Sequence, residues 1–318
     1  MGHFFMQDIG SVAVPAGPFA TALWSGTGAA QSINIGFQPD LVIVKSRSDA
    51  VSWRFVDSAR GATVQWQNPG SSAESTDLQG VTSFGATGFG LGTSVNYNSA
   101  SNTYLSYCFA KLAGFFDIAT YTGTGVSGRT VAHALGVAPE LIIVRGRSTT
   151  SSSAVAYPGP LSSPATKFLT VSSNAAVSAA ASVWNNTAPT SSVFSVGNSA
   201  LVNQNTSTYV AYMFASQAGQ SKVGSYTGNG SASGPSVACG FQPSFVMIKR
   251  TDTTGDWFMF DSVRDASPIN TNSLLDSTAV EATAAYDVTT GATGFQLTNA
   301  ATSALNVSAG IYVFLAIK

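Results

Sequence analysis

The string GFQPDLVIVK (Gly36–Lys45) decides the fold, because it returns as GVAPELIIVR (Gly136–Arg145) and again as GFQPSFVMIK (Gly240–Lys249). A second string behaves the same way. TYLSYCFAK (Thr103–Lys111) returns as TYVAYMFAS (Thr208–Ser216) and ends the chain as IYVFLAIK (Ile311–Lys318). A period of roughly 100 residues is too long for a solenoid unit and matches one small domain. Three copies of one β module are therefore expected.

Each copy opens with an aromatic residue and a glycine-rich turn, at Trp24–Gly28, Tyr121–Gly125 and Tyr226–Gly230. Glycine supplies the positive φ that such turns use. A short strand follows, with Ile33 and Ile35, then His133 and Leu135, then Val237 and Cys239 in matching slots. Pro39, Pro139 and Pro243 then break the ladder and start a new strand. That strand, at Leu41–Val44, Leu141–Val144 and Phe245–Ile248, is apolar throughout and reads as buried on both faces. Phe89, Phe194 and Phe295 mark a later strand. In the last strand Leu105, Tyr107 and Phe109 share a face, as do Val210, Tyr212 and Phe214, and Val313, Leu315 and Ile317. No stretch sustains a 3.6-residue period, so helix is minor. The expected fold is all-β: three tandem antiparallel β-sandwich or jelly-roll modules of about 100 residues. The expected boundaries are an extended arm over 1–18, modules over 19–112 and 219–318, and a divergent middle module over 113–218.

Composition narrows the function classes. Only 9% of the 318 residues are charged, against about 25% in an average protein, and the net charge is −1. Nothing there steers the chain to nucleic acid or to an anionic membrane. There is no run of about 18 apolar residues to span a bilayer. MGHFFMQDIGSVAVPAGPFA lacks the basic start and long apolar stretch of a signal peptide. Synthesis in a host cytoplasm with residence in a virus particle reconciles that start with a composition typical of surface proteins.

The chemistry-bearing residues are few. His133 falls in a strand slot and His3 in the tail, without a partner set for a metal. Cys108 shares its slot with Met213 and Ala316, and Cys239 with Ile35 and Leu135; such cysteines act as small hydrophobes, and a disulfide is not expected. WRFVDSAR (Trp53–Arg60) and WFMFDSVR (Trp257–Arg264) place Asp57 with Arg60, and Asp261 with Arg264, where a charge-assisted hydrogen bond closes a tight turn. The middle copy has AVAYPGP (Ala154–Pro160) instead. No histidine stands where a hydrolytic triad needs one, and paired carboxylates are wanting. Neither an enzyme nor a cofactor is expected. Two tryptophans fall outside the shared pattern: Trp66 beside Gln67, and Trp184 beside Asn185, both in apparent loops. An aromatic face next to a side-chain amide can hold a sugar ring, or it can pack against a neighbouring module or subunit; packing carries more weight.

SYTGNGSASGPSVACGFQPSFVMIKR (Ser225–Arg250) followed by DWFMFDSVR (Asp256–Arg264) resembles a β domain of unassigned function that recurs, often in tandem, in tail and fibre proteins of marine and freshwater bacteriophages. The likeness covers the chain after residue 18, the middle copy matching only at its ends. It implies a virion protein and carries over no catalytic residue. The expectation is a structural protein of a tailed phage, a tail or baseplate fibre touching the host surface. A capsid decoration protein and a carbohydrate-binding module or depolymerase remain alternatives. Expected partners are other virion proteins and, through Trp66 and Trp184, a host-surface glycan. Edges with few lysines invite self-pairing, so a homo-oligomer, a trimer as in fibres, is expected too. Phe4, Phe5, Val12 and Val14 make the arm apolar, suited to docking on a neighbouring subunit by strand addition.

Overall fold

The computed structural model describes residues 17–149, 153–298 and 304–318, with the side chains of 284–287 left aside. His3 and the arm residues Phe4, Phe5, Val12 and Val14 lie outside the described residues. The first repeat holds β1 (Phe19–Ser25), β2 (Gln31–Asn34), β3 (Leu41–Ser46), β4 (Trp53–Asp57), β5 (Val64–Asn68), β6 (Ser75–Thr76), β7 (Val81–Gly85), β8 (Gly88–Leu91), helix α1 (Val95–Asn98) and β9 (Thr103–Phe109). The second holds β10 (Phe116–Thr122), β11 (Arg129–Ala132), β12 (Leu141–Gly146), β13 (Val155–Pro158), β14 (Lys167–Thr170), β15 (Ser178–Ala179), α2 (Ala181–Trp184), β16 (Val193–Val196), α3 (Ala200–Asn203) and β17 (Thr208–Phe214). The third holds β18 (Ser221–Thr227), β19 (Ser233–Ala238), β20 (Phe245–Arg250), β21 (Trp257–Asp261), β22 (Ile269–Leu274), β23 (Ala282–Gly291), β24 (Gly294–Thr298) and β25 (Ile311–Ile317). The molecule is all-β, with helix confined to single turns.

The same antiparallel order recurs. The main sheets run β1-β9-β3-β4-β5-β6 and β10-β17-β12-β13-β14-β15, and small outer sheets β2-β8-β7 and β11-β16 complete those two repeats. In the third repeat the ten-residue β23 pairs with both β22 and β24, so one eight-stranded sheet spans both layers.

The glycines of the shared string have a backbone reason. Gly36, Gly136 and Gly240 sit at φ +85°, +77° and +82°, a region that side chains disfavour. After the following proline the chain re-enters the sheet at once: the Asp40, Glu140 and Ser244 N–H groups donate to Phe109, Phe214 and Ile317 carbonyls at 2.7, 2.9 and 2.8 Å.

The apolar strands are buried on both faces because each serves two cores. In β3, Leu41 and Ile43 face one cluster while Val42 and Val44 face another. The same alternation holds for Leu141 and Ile143 against Ile142 and Val144, and for Phe245 and Met247 against Val246 and Ile248. One cluster of each pair belongs to a single repeat, between its main and outer layers. The other is common to all three, joining Phe19, Phe109, Phe116, Phe214, Phe245 and Ile317 among others. The main sheets thus turn inward on a shared core, and the repeats form a closed ring.

Contacts between neighbours close that ring in one direction. Glu74 of the first repeat meets Arg147 of the second, Thr170 of the second meets Trp257 of the third, and Glu281 of the third meets Arg47 of the first. At one pole each repeat ties its own first and last strands together on one plan, with Ala110, Ala215 and Lys318 N–H groups donating to Pro18, Phe115 and Gln220 carbonyls at 2.8, 3.0 and 3.0 Å. Deeper in, Asn68 is fully buried where the three repeats meet. Its Nδ2 donates to the carbonyls of Val171 (3.1 Å) and Leu275 (2.7 Å), and its Oδ1 accepts from Ser172 Oγ at 2.7 Å. One amide from each of three repeats is satisfied at that point.

Replacing Asn68 by Leu strands two buried carbonyls and one hydroxyl. We expect a loss of about 2–4 kcal/mol, read as a lower midpoint in denaturant with a single cooperative transition. Independent unfolding of the repeats would instead separate the transition into steps.

Candidate functional site

Most residues that recur in the three copies hold the chain's own turns. Trp24, Tyr121 and Tyr226 stack on Tyr104, Tyr209 and Tyr312 with ring centroids 5.4, 5.1 and 4.8 Å apart. Each also meets Phe89, Phe194 or Phe295 edge-on. The three stacked tyrosine hydroxyls donate to Val95, Ala200 and Ala304 carbonyls at 2.9, 2.8 and 2.9 Å. Buried Asn98, Asn203 and Asn306 each accept from a turn N–H at 2.8 Å, from Thr27, Thr124 and Asn229. The glycine opening each turn is required by close approach: a Cβ on Gly26, Gly123 or Gly228 would lie 2.0–2.2 Å from a facing carbonyl oxygen. The three asparagines escaped the sequence reading, although each precedes its tyrosine by six residues.

The Asp–Arg pairs close their turns as expected and also do more. Arg60 Nε lies 2.6 Å from Asp57 Oδ2, and Arg264 Nε 2.5 Å from Asp261 Oδ2, all four side chains fully buried. Each pair receives a tyrosine from the next repeat. The Tyr212 hydroxyl donates to Asp57 at 2.8 Å and accepts from Trp66 Nε1 at 2.9 Å. The Tyr107 hydroxyl donates to Asp261 at 3.0 Å and accepts from Arg264 at 2.9 Å. A glutamate extends each network outward: Glu74 holds Arg147 through two bonds of 2.9 Å, and Glu281 holds Arg47 at 2.7 and 2.9 Å. These are charge-assisted bonds removed from water. Burial disfavours the charge on Arg60, but the Tyr212 oxygen, Asp57 and Glu74 outweigh it and hold the guanidinium protonated. Burial raises the Tyr107 and Tyr212 phenols well above their ordinary range.

The junction between the second and third repeats lacks this latch. β-pairing puts Pro158 opposite Leu141 where Asp57 faces Leu41 and Asp261 faces Phe245, so Pro158 fills the aspartate slot. Leu161 then follows at the arginine position, and the tyrosine slot holds Leu315. Both sides of the contact have changed together.

The two tryptophans expected in loops are both buried to 1%. Trp66 belongs to β5, stacks on Phe55 at 3.9 Å and reaches across the junction to Tyr212. Trp184 ends α2 inside the second repeat's own core, edge-on to Tyr157. Neither offers a free face to a sugar; the polar neighbours had made core positions look like loops. Gln67 is exposed on β5, and Asn185 is half-buried with a left-handed φ of 53° that ends α2. His133 needs a correction too. Ile33 and Val237 pair with Phe89 and Phe295, but the residue paired with Phe194 is Val131. The middle copy has two extra residues before its corner, and His133 lies in that loop, half-buried, its Nδ1 accepting from Leu135 N–H at 3.3 Å. Both cysteines are free, and burial pushes Cys108 up to about 12 and Cys239 up to about 11.

Shallow grooves mark the outer faces. One of about 280 Å³ on the third repeat is lined by Ser236, Thr289, Thr293 and Gln296 among others, and an equivalent of about 130 Å³ on the first by Ser32, Asn34, Ser83 and Thr87. Hydroxyls, amides and glycine backbone share both with apolar side chains, Val237 and Phe295 in the larger groove and Ile33 and Phe89 in the smaller. Among the described residues no group of three or more metal-ligating side chains forms.

Fold and junctions together define an all-β protein in which most of the repeated residues serve turns and inter-repeat packing. The family model described as "Domain of unknown function (DUF7483)" matches residues 14–318 in one stretch, and the chain belongs to that family. No curated protein and no solved structure matches it.

Tyr212→Phe removes the hydroxyl that joins Trp66, Asp57 and Arg60, and should cost about 1–3 kcal/mol at neutral pH. The same phenol keeps its proton in the folded chain above pH ~10, where the unfolded chain loses it. Its contribution is therefore complete below pH ~10 and declines as pH rises beyond that. Stability measured against pH should fall less steeply above pH ~10 in Tyr212→Phe than in the parent; parallel curves would contradict the assignment.

Proposed function

We propose that the chain is a structural virion protein of a tailed bacteriophage, carried on the tail or baseplate as a short fibre in contact with the host surface. The sequence resemblance to phage tail and fibre modules motivates this reading. The observation that supports it best is the use of the repeated residues: the signature positions build a rigid ring and leave loops and outer grooves for contact. The two ends of the ring also differ. The chain connections from one repeat to the next, residues 110–115 and 215–220, and the point where the described chain begins gather at one pole, whereas β1, β10 and β18 run away from it to the glycine-rich turns at the other. Such a body suits attachment at one end and presentation at the other, on a scaffold whose loops carry the recognition.

A capsid decoration role is the second reading. A ring of three equivalent sheets has the plan to sit over a local three-fold position on a shell. The glycan-binding or depolymerase reading loses its main support, since Trp66 and Trp184 are interior residues.

Cryo-electron microscopy of the intact particle decides between them. Few copies at the tail or baseplate support the fibre reading; copies spread over the head replace it with decoration, and absence from the particle refutes both. Removing residues 1–16 should leave the ring folded, with an unchanged thermal transition, but abolish incorporation into particles. Normal incorporation of the shortened chain would remove the arm from the account.

A further inference from the structure

Each junction in the ring carries one tryptophan, supplied by the outgoing side at one junction and by the incoming side at the other two. On the outgoing face of a repeat the relevant slot is Trp66, Leu169 or Ser273, equivalent because they pair with Phe55, Ala156 and Met259. On the incoming face it is Trp53, Ala154 or Trp257, just ahead of the equivalent residues Arg54, Val155 and Phe258. Around the ring the slots brought to the same junction are Trp66 with Ala154, Leu169 with Trp257, and Ser273 with Trp53; the Trp257 and Trp53 indoles donate to the carbonyls of Thr170 and Leu274, next after Leu169 and Ser273. All six are buried to 1% or less.

The indoles fill the same place from opposite sides. Trp53 stacks on Tyr107 at 5.9 Å and 19°, and Trp66 stacks on Tyr212, the equivalent tyrosine, at 6.3 Å and 25°. The cation near the end of the incoming repeat's central strand meets them alike: Arg145 of β12 lies 5.4 Å from the Trp66 ring and Lys249 of β20 5.9 Å from the Trp257 ring. Where the incoming face lacks its tryptophan, at Ala154, the outgoing face provides one.

We infer that each junction has room for one indole, and that its side of origin, with the presence or absence of the Tyr–Asp–Arg latch, fixes which faces can meet. Every alternative pairing then fails. The Trp66 face set against Trp53 or Trp257 brings two indoles into one space. The Ser273 or Leu169 face set against Ala154 leaves none. The Leu169 face set against Trp53 offers Pro158 and Leu161 to the Tyr107 hydroxyl, which finds no acceptor. The Ser273 face set against Trp257 leaves Asp261 and Arg264 facing Leu315. The residues Trp53, Trp66, Ala154 and Trp257, with the latch, encode the order of repeats around the ring. A core disfavours overpacking and cavities alike, which gives the code its strength.

The test is a double-mutant cycle in the full chain. Ala154→Trp and Trp66→Leu should each lower the thermal midpoint, by roughly 5–10 °C or to loss of folding. The double variant, which moves the indole across the junction, should recover most of that loss. A harmless Ala154→Trp, or a double variant no better than the worse single one, would overturn the inference. The latch has its own arm. Leu315→Tyr should lower the midpoint when made alone and regain it with Pro158→Asp and Leu161→Arg, and a triple variant no better than Leu315→Tyr would count against the latch as part of the code.

Discussion

The shared core sets the terms for the rest of the molecule. Three sheets can turn their inner faces on one another only if most of the buried polar groups at the boundary find partners, because an unpaired buried group costs about 1–3 kcal/mol. Asn68 answers that demand where the three repeats meet, with one side chain satisfying carbonyls from the other two. The tyrosine hydroxyls of β9 and β17 answer it along two junctions, and the Trp53 and Trp257 indole N–H groups do so by donating to Leu274 and Thr170 carbonyls at 2.8 and 3.0 Å. Polar residues in this interior are there to let apolar sheets meet.

The junctions reach the same end by two kinds of chemistry. Two bury an aspartate, an arginine and a tyrosine together; the third replaces all three with Pro158, Leu161 and Leu315. A buried ion pair is weak evidence of stability, since an apolar replacement of similar volume is often as stable. What that principle forbids is half a replacement, and none occurs here. Low overall charge fits the same pattern. Of the few arginines, Arg60, Arg145 and Arg264 are spent inside junctions, with Arg47 and Arg147 at their rims.

Much of the fold was legible because the chain supplies its own comparison. Recurrent strings placed β3, β12 and β20 and their burial on both faces, and the alternation in β9, β17 and β25 picked out the side that enters the shared core. The opposite side looked mixed in character because it faces a different core, where Tyr104, Ser106 and Cys108 are buried as well. The Asp–Arg turns were visible locally, but their tyrosine partners were not: Tyr212 and Asp57 are 155 residues apart. A within-chain signal did exist, since the copy after the missing Asp–Arg pair is the one that has lost its tyrosine. Trp66 and Trp184 misled because flanking amides resemble a loop when burial is judged from neighbours in sequence. His133 misled through two extra residues that shift the middle copy against its sisters.

The gathering of chain ends at one pole bears on how the molecule carries load. Gly17 lies beside Gln220, whose carbonyl accepts from the N–H of Lys318, so the described chain starts and finishes a short distance apart. Tension applied between those points crosses one junction of the ring, that between the third and first repeats. It acts on β1, an edge strand, and on β25, which is clamped between β18 and β20. The bonds at the pole are loaded one after another on the β1 side, whereas freeing β25 requires breaking two ladders at once. Under a pull the ring therefore has a soft end and a hard end, and the two junctions made by the second repeat stay off the direct load path until the first repeat has begun to peel.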